Sequence, residues 1–275
     1  MRKKNLLFRF NKKFLVLGIS LSTSLFQPIC AQEDGEKKLR DLSPDRPHQT
    51  ESPITVDKWH IMFETDLVNL TQKKVPNDQL NALGFGNANL KFGFAKNMDI
   101  ELISGIYTRN TYKDHTIPAN QTFVPDLTFR YKLNLMGNDS GDFAIALMPL
   151  VRTSNFFKEK LQVLNGGFLM NMEKELPGDF GLGYTGGLST FSFKPFMRDF
   201  EIFSTVSFDY KVVGVLRHFV ELSYRYNQQA EYLHTYSFDS GVTFTPTANL
   251  QFDTGFYFFL PAKSPFLFIG GTIRI

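Results

Sequence analysis

The sequence predicts an all-β chain: a transmembrane, antiparallel up-and-down β-barrel of about twelve strands. Three observations carry that expectation. Residues 250–275, NLQFDTGFYFFLPAKSPFLFIGGTIRI with the preceding Asn, alternate faces up to the last residue. The body contains no apolar run of the roughly 18 residues a membrane helix needs, so a spanning structure has to be a closed sheet. Thirty Phe and ten Tyr stand against one Trp, and aromatic side chains suit a pleated, half-buried surface.

Residues 1–31 read as a signal peptide. Arg2, Lys3, Lys4, Arg9, Lys12 and Lys13 form a basic region, and residues 14–26 are an apolar run too short to span a bilayer. Cleavage after Ala31 places Ile29 at minus three, larger than the usual small residue. A lipoprotein alternative would acylate Cys30, but Pro28 and Ile29 fit a small-residue lipobox poorly. Residues 32–58 follow as a polar, Pro-punctuated periplasmic segment without helix or strand period. Residues 59–275 are expected to form the barrel.

The predicted strands are 59–69, 87–95, 99–108, 122–134, 142–152, 162–174, 180–192, 199–211, 216–226, 233–244, 250–260 and 265–275. An even count returns both barrel ends to the periplasmic side. The connections after even-numbered strands are short, and mostly carry turn residues: 96–98, 135–141 (LMGNDSG), 175–179 (ELPGD), 212–215 (VVGV) and 245–249 (TPTAN). The two longest connections, 70–86 and 109–121, fall on the other side, which is the outer-loop side of such a barrel.

Period two also assigns the faces. Ile61, Phe63 and Leu67 oppose His60, Glu64 and Asp66 in the first strand. In the fourth, Leu127, Phe129, Tyr131 and Leu133 oppose Asp126, Thr128, Arg130 and Lys132. In the ninth, Val220, Leu222, Tyr224 and Tyr226 oppose Arg217, Glu221, Ser223 and Arg225. A Lys or Arg turned to lipid at mid-depth costs about 2–4 kcal/mol, so the charged face is the lumen. A soluble sandwich or lipocalin-like barrel would reverse the faces, and alternation alone fits both. The strand number, the Phe and Tyr density on the apolar face and the lack of a polar tail favour the membrane.

Charge and motifs then exclude several functions. The formal charge of the whole chain is +3, but six of its 30 basic residues and none of its 27 acidic ones lie in residues 1–31. Without them the charge is -3, which gives nucleic-acid binding no support. The single cysteine, Cys30, leaves with the signal, so no disulfide, thiol nucleophile or Cys-based zinc site is expected. His48, His60, His115, His218 and His234 lack metal-ligand spacing, no GxSxG elbow occurs, and neither metal, cofactor nor catalytic residue is expected. The glycines of GLGYTGG (181–187) lack the Lys of a phosphate loop and are expected to make room inside the barrel or permit curvature. Phe256 and Phe258 are expected in a lipid-facing girdle.

Five segments carry a resemblance. SPDRPHQTESPITVDKWHIMFE (43–64), ANLKFGFAKNMDIEL (88–102), PDLTFRYKL (125–133), FVELSYRY (219–226) and HTYSFDSGVTFTPTANLQFDTGFYF (234–258) occur in order. Together they resemble the outer-membrane barrel proteins of the phenol meta-pathway degradation family, described as transporters. The chain departs from that pattern at Trp59, where Gly is frequent, at Lys91, where Arg is commoner, and at Ile275, where a terminal aromatic is usual. The resemblance implies an outer-membrane location, folding by the barrel-assembly machinery, and aromatic-catabolite uptake for some members.

The lumen-lining, solute-binding candidates are Glu64, Lys91, Glu101, Asp126, Arg130, Lys132, Glu201, Asp209, Arg217, Glu221, Arg225, Asp239, Asp253 and Arg274. Their mixed signs favour mutual pairing over a solute-selective filter. Asp45, Arg46, Thr50 and Glu51 are candidates for an N-terminal plug that pairs with lumen charges such as Arg130 and Glu221. The functional expectation is a passive channel for small polar or amphipathic solutes, with lipid and the solute as partners. The alternative is a closed structural barrel that docks another envelope protein.

Overall fold

The computed structural model describes residues 39–75, 78–113, 119–123, 126–154, 164–191, 199–228, 233–260 and 262–275. Its strands are β1 (Ile61–Val75), β2 (Asp78–Ala95), β3 (Met98–Tyr112), β4 (Asn120–Phe123), β5 (Asp126–Met136), β6 (Phe143–Ser154) and β7 (Leu164–Leu176). They continue through β8 (Phe180–Phe191), β9 (Asp199–Val213), β10 (Leu216–Asn227), β11 (His234–Thr247), β12 (Leu250–Leu260) and β13 (Ser264–Arg274). Both β4 and β5 pair antiparallel with β3, so they are successive pieces of one barrel strand. The ladder between β1 and β13, from Met62 opposite Arg274 to Thr71 opposite Phe266, closes the ring. The molecule is a closed, twelve-stranded, antiparallel barrel.

Burial is inverted relative to a soluble protein, which decides the question that alternation left open. Lys91, Lys132, Glu64, Glu221, Asp99 and Asp239 are buried inside, whereas Leu67, Leu90, Ile100, Phe129, Leu222 and Ile269 are exposed outside. Such an outer wall is stable only against lipid. Outward aromatics gather at both ends of the wall. Phe94–Tyr131 and stacked Phe180–Phe208 pairs lie near the short turns, with centroids 5.9 and 5.5 Å apart. Near the other end are Tyr224–Tyr236 at 5.3 Å and Phe200–Tyr226 at 6.1 Å. Phe256 and Phe258 are exposed on the same outer face.

Several predicted boundaries need correction. The longest expected loop, 70–86, is mostly ladder: Thr71 opposes Ala82 and Val75 opposes Asp78. Its residues carry no apolar alternation, because beyond the hydrocarbon layer the wall can be polar on both faces. The expected loop 109–121 shrinks in the same way, since β3 runs to Tyr112 and β4 starts at Asn120. Trp59 and His60 precede the first strand, and Trp59 has a left-handed φ of 68°. Leu67 sits at a bulge, where the β1–β13 register shifts between Asp66 and Val68. The expected turn 245–249 narrows as β11 continues to Thr247. Residues 124–125, 162–163 and 192, placed in strands by the sequence, lie outside the described residues, as does the expected signal peptide, 1–31.

Candidate functional site: the barrel interior

Residues 40–58 enter the barrel from the end with the short turns, rise to a tip near His48 and Gln49, and descend to meet β1. A segment without ladder partners needs acceptors for its N–H groups in a confined space. The lumen carboxylates provide them. The Asp45 and Arg46 amides each donate to Glu64 at 3.2 Å, those of Gln49 and Thr50 to Glu221 at 2.8 and 2.6 Å, and that of Val56 to Asp99 at 2.9 Å.

At the mouth the segment is held by turn residues. The Arg40 guanidinium lies 2.8 Å from Asp139 and donates to the Lys96 carbonyl at 2.6 Å. Arg274 donates to the Arg40 carbonyl at 2.8 Å and to Asp57 at 3.0 Å. Hydrogen bonds from Lys96 and Arg40 hold the Asp139 carboxyl below its ordinary value. At the end of the same turn, Lys174 of β7 does the same to Asp142.

Deeper lies a buried charge cluster. The Asp45 carboxylate is 2.5 Å from Lys91 and 2.9 Å from Lys132. Lys91 also reaches Glu64 at 2.5 Å, and Lys132 reaches Glu101 at 3.2 Å. On the returning limb Glu51 meets Arg130 at 2.6 Å. Arg46 bridges Asp66 and Asp253, the latter at 2.6 Å, and lies over the Phe268 ring. At the tip, Tyr257 donates to the Pro47 carbonyl, Gln49 donates to Asp239 at 2.6 Å, and the Thr50 hydroxyl donates to Glu221 at 2.5 Å. Buried pairs of this kind are stable only as complete sets, because each charge has lost its water.

The inner wall is cut to admit the segment. A Cβ on Gly270 would collide with the Arg46 guanidinium, and one on Gly93 with the carbonyls of Val56 and Asp57. Gly183, within the glycine-rich run, leaves room for Thr50 and Ser207.

The fourteen lumen candidates thus divide into groups. Glu64, Lys91, Glu101, Arg130 and Lys132 converge around Asp45 and Glu51; Glu221 and Asp239 hold Gln49 and Thr50; Asp253 holds Arg46; and Arg274 holds Asp57. Asp209 pairs with Arg217 toward the turns, and Glu201 with Arg225 at 3.3 Å toward the loops, both without an ion pair or hydrogen bond to residues 40–58. Asp126 is exposed and forms no ion pair among the described residues.

Sequence reasoning missed Arg40, Gln49, Asp57, Asp99, Arg152 and Asn165 as interior polar residues. For Asp99, Arg152 and Asn165 the signal was parity: each stands next to an outward apolar residue, as Arg152 does beside Val151.

Space remains on both sides of the tip. A cavity of about 130 Å³ on the turn side and another of about 370 Å³ on the loop side are both lined by His48 and Glu51. A third, of about 390 Å³, adjoins Ser104, Asp126 and Arg152 near the loops. Among the described residues no group of three or more His, Cys, Asp or Glu is disposed to hold a metal ion.

No family model and no curated protein matches the sequence. Solved structures do. The chain resembles an outer membrane channel from Pseudomonas putida F1, with 14% identity and a TM-score of 0.60 over 83% of this chain and 100% of that one. It also resembles the NanC porin, with 7% identity and a TM-score of 0.50 over 75% of this chain and 98% of that one. These likenesses establish the fold: this chain has the architecture of outer-membrane channel barrels. The resemblance to the phenol meta-pathway family rests on the five segments alone.

Proposed function

We propose that this chain is an outer-membrane channel through which small polar or amphipathic solutes, aromatic ones among them, diffuse passively, and that residues 40–58 are a plug that narrows it. The observation that carries the reading is a polar interior that keeps cavities on both sides of a charge-paired segment, within a wall that is apolar outside. Twelve strands lie between the roughly eight that side chains fill and the 16–18 that leave a wide aqueous channel, so a narrowed pore fits the strand count. The reading includes export by the signal peptide, insertion by the barrel-assembly machinery, and no catalytic step.

Liposome swelling with the purified mature chain tests it. Permeation of small sugars and amino acids above the protein-free rate is the expected result, and a rate equal to protein-free liposomes contradicts it.

One observation favours a closed structural barrel instead: Lys91 and Lys132 are fully buried beneath Asp45. That reading expects a stoichiometric envelope partner on cross-linking in the native membrane and no permeation.

A further inference from the structure

We infer that the loop-side cavity above the tip of residues 40–58 is a binding subsite for a small organic carboxylate on an apolar body the size of a single ring. This rests on the channel reading and names the solute class that pauses there. At about 370 Å³ the cavity falls within the range of small-molecule sites.

Its charges do not balance. Three guanidinium groups line it. Arg130 is matched by Glu51 at 2.6 Å and Arg225 by Glu201 at 3.3 Å. Arg152 forms no ion pair among the described residues, Glu201 and Asp126 acting on it only from a distance; its Nε donates to the Thr128 hydroxyl at 3.3 Å. Asp126 lines the adjoining cavity with Arg152 but forms no ion pair with it.

Two further donors lack acceptors. Asn165 lies directly opposite Arg152 across the β6–β7 ladder, is 4% exposed, and its Nδ2 has no hydrogen-bond partner among the described residues. The Arg130 Nε is likewise without one. Buried polar groups are almost always satisfied; Glu51 Oε2 beside Arg130 is an unmatched acceptor, so it is the Arg152–Asn165 corner, where donors face each other with no carboxylate between them, that points to an absent acceptor.

A carboxylate fits that absence. Ionised, it only accepts, and its two oxygens match the planar fork of a guanidinium. Leu150, Leu169, Leu188 and the Phe203 ring, over which Arg225 lies, form the apolar part of a wall that also carries Asn87, Ser189, Thr190 and Tyr257. Inorganic phosphate or chloride would answer the charge but leave this apolar wall unused. A purely apolar solute would leave the donors unmatched.

Calorimetry on the purified full mature chain in detergent tests the subsite, with benzoate as probe and benzamide as its neutral counterpart of the same shape. Benzoate should bind about tenfold or more tightly than benzamide, and Arg152→Gln should remove that preference. Arg152→Lys should retain part of it, since charge survives without the fork. Lys211→Gln, which removes one charge at the turn end and outside the cavity, should leave benzoate binding at the parent level. Heat-modifiable gel migration reports whether each variant forms a barrel. If Arg152→Gln does not, Ser189→Asp places a competing carboxylate on the cavity wall and should abolish benzoate binding. Equal binding of benzoate and benzamide, benzoate binding unchanged in Arg152→Gln or Ser189→Asp, or equal displacement of benzoate by inorganic phosphate would overturn the subsite. Arabinose swelling separates the two readings. Arabinose permeation without benzoate binding sinks the subsite and leaves the channel, while benzoate binding without any permeation supports the subsite and sinks the channel.

Discussion

The turn-side and loop-side halves of the lumen are lined by the same residue types but are completed differently. On the turn side, Glu64, Lys91, Lys132 and Asp253 each meet a charge or amide of residues 40–58, and a cavity of about 130 Å³ lies beside them. On the loop side Arg225 and Glu201 pair with each other, Arg152 meets no carboxylate among the described residues, and cavities of about 370 and 390 Å³ remain. The difference teaches that a charged lumen does not by itself define a filter. Where a second segment satisfies the charges they become structure; where none does they stay available to a solute.

Substitutions can break that contrast, and Lys91→Met should act most strongly. It leaves the buried carboxylates of Asp45 and Glu64 without their shared cation, and losing one partner of a buried pair costs roughly 3–5 kcal/mol. Urea unfolding of the barrel in liposomes reads this directly, and a midpoint equal to the parent's would remove the turn-side cluster from the structural account. Phe129→Arg tests the outer wall against the inner one. Phe129 is exposed on the lipid face beside the inward Arg130, so the same unfolding measurement should show a loss of about 2–4 kcal/mol.

The loop-side counterpart should be milder. The Arg225 side chain is 42% exposed in its pair with Glu201, and such pairs contribute about 0–1 kcal/mol, so Arg225→Gln should barely move the midpoint. A loss as large as that of Lys91→Met would mean the two halves do not differ. The smallest effect is expected at Asp139, whose carboxyl is held below its ordinary value mainly by Lys96. A lowered folded pKa means its contribution is complete above the unfolded value near about 4 and is lost as pH falls through the folded value. The difference in urea midpoint between the parent and Asp139→Asn should therefore be constant above about pH 4 and shrink below it. A difference that grows on acidification would contradict the assignment.

The barrel was legible in the sequence wherever the wall crosses hydrocarbon, because lipid on one side and water or charge on the other impose period two. Leu127 to Lys132 shows the pattern directly, outward and inward residues alternating without exception. Legibility ended where that constraint ended. The upper reaches of β1 and β2 are paired strand, yet LTQKKV is polar enough on both faces to read as loop. The course of residues 40–58 was legible only in part: the sequence offered Arg130 and Glu221 as partners of the segment, but most of its contacts, such as Arg46 with Asp253 and Val56 with Asp99, are set by residues far away in sequence. No local period encodes a contact of that range. Gly270 shows how the information is nevertheless present, as a missing side chain in β13 that matters only once Arg46 lies against it.

The central claim is that residues 40–58 narrow a pore that would otherwise be wider. Single-channel recording of the mature chain beside a variant lacking residues 32–53 tests it most directly. The account predicts a conductance several-fold higher once Asp45, Arg46, Thr50 and Glu51 are gone, in line with the steep dependence of conduction on a constriction. An unchanged conductance in a folded, inserted barrel would contradict it.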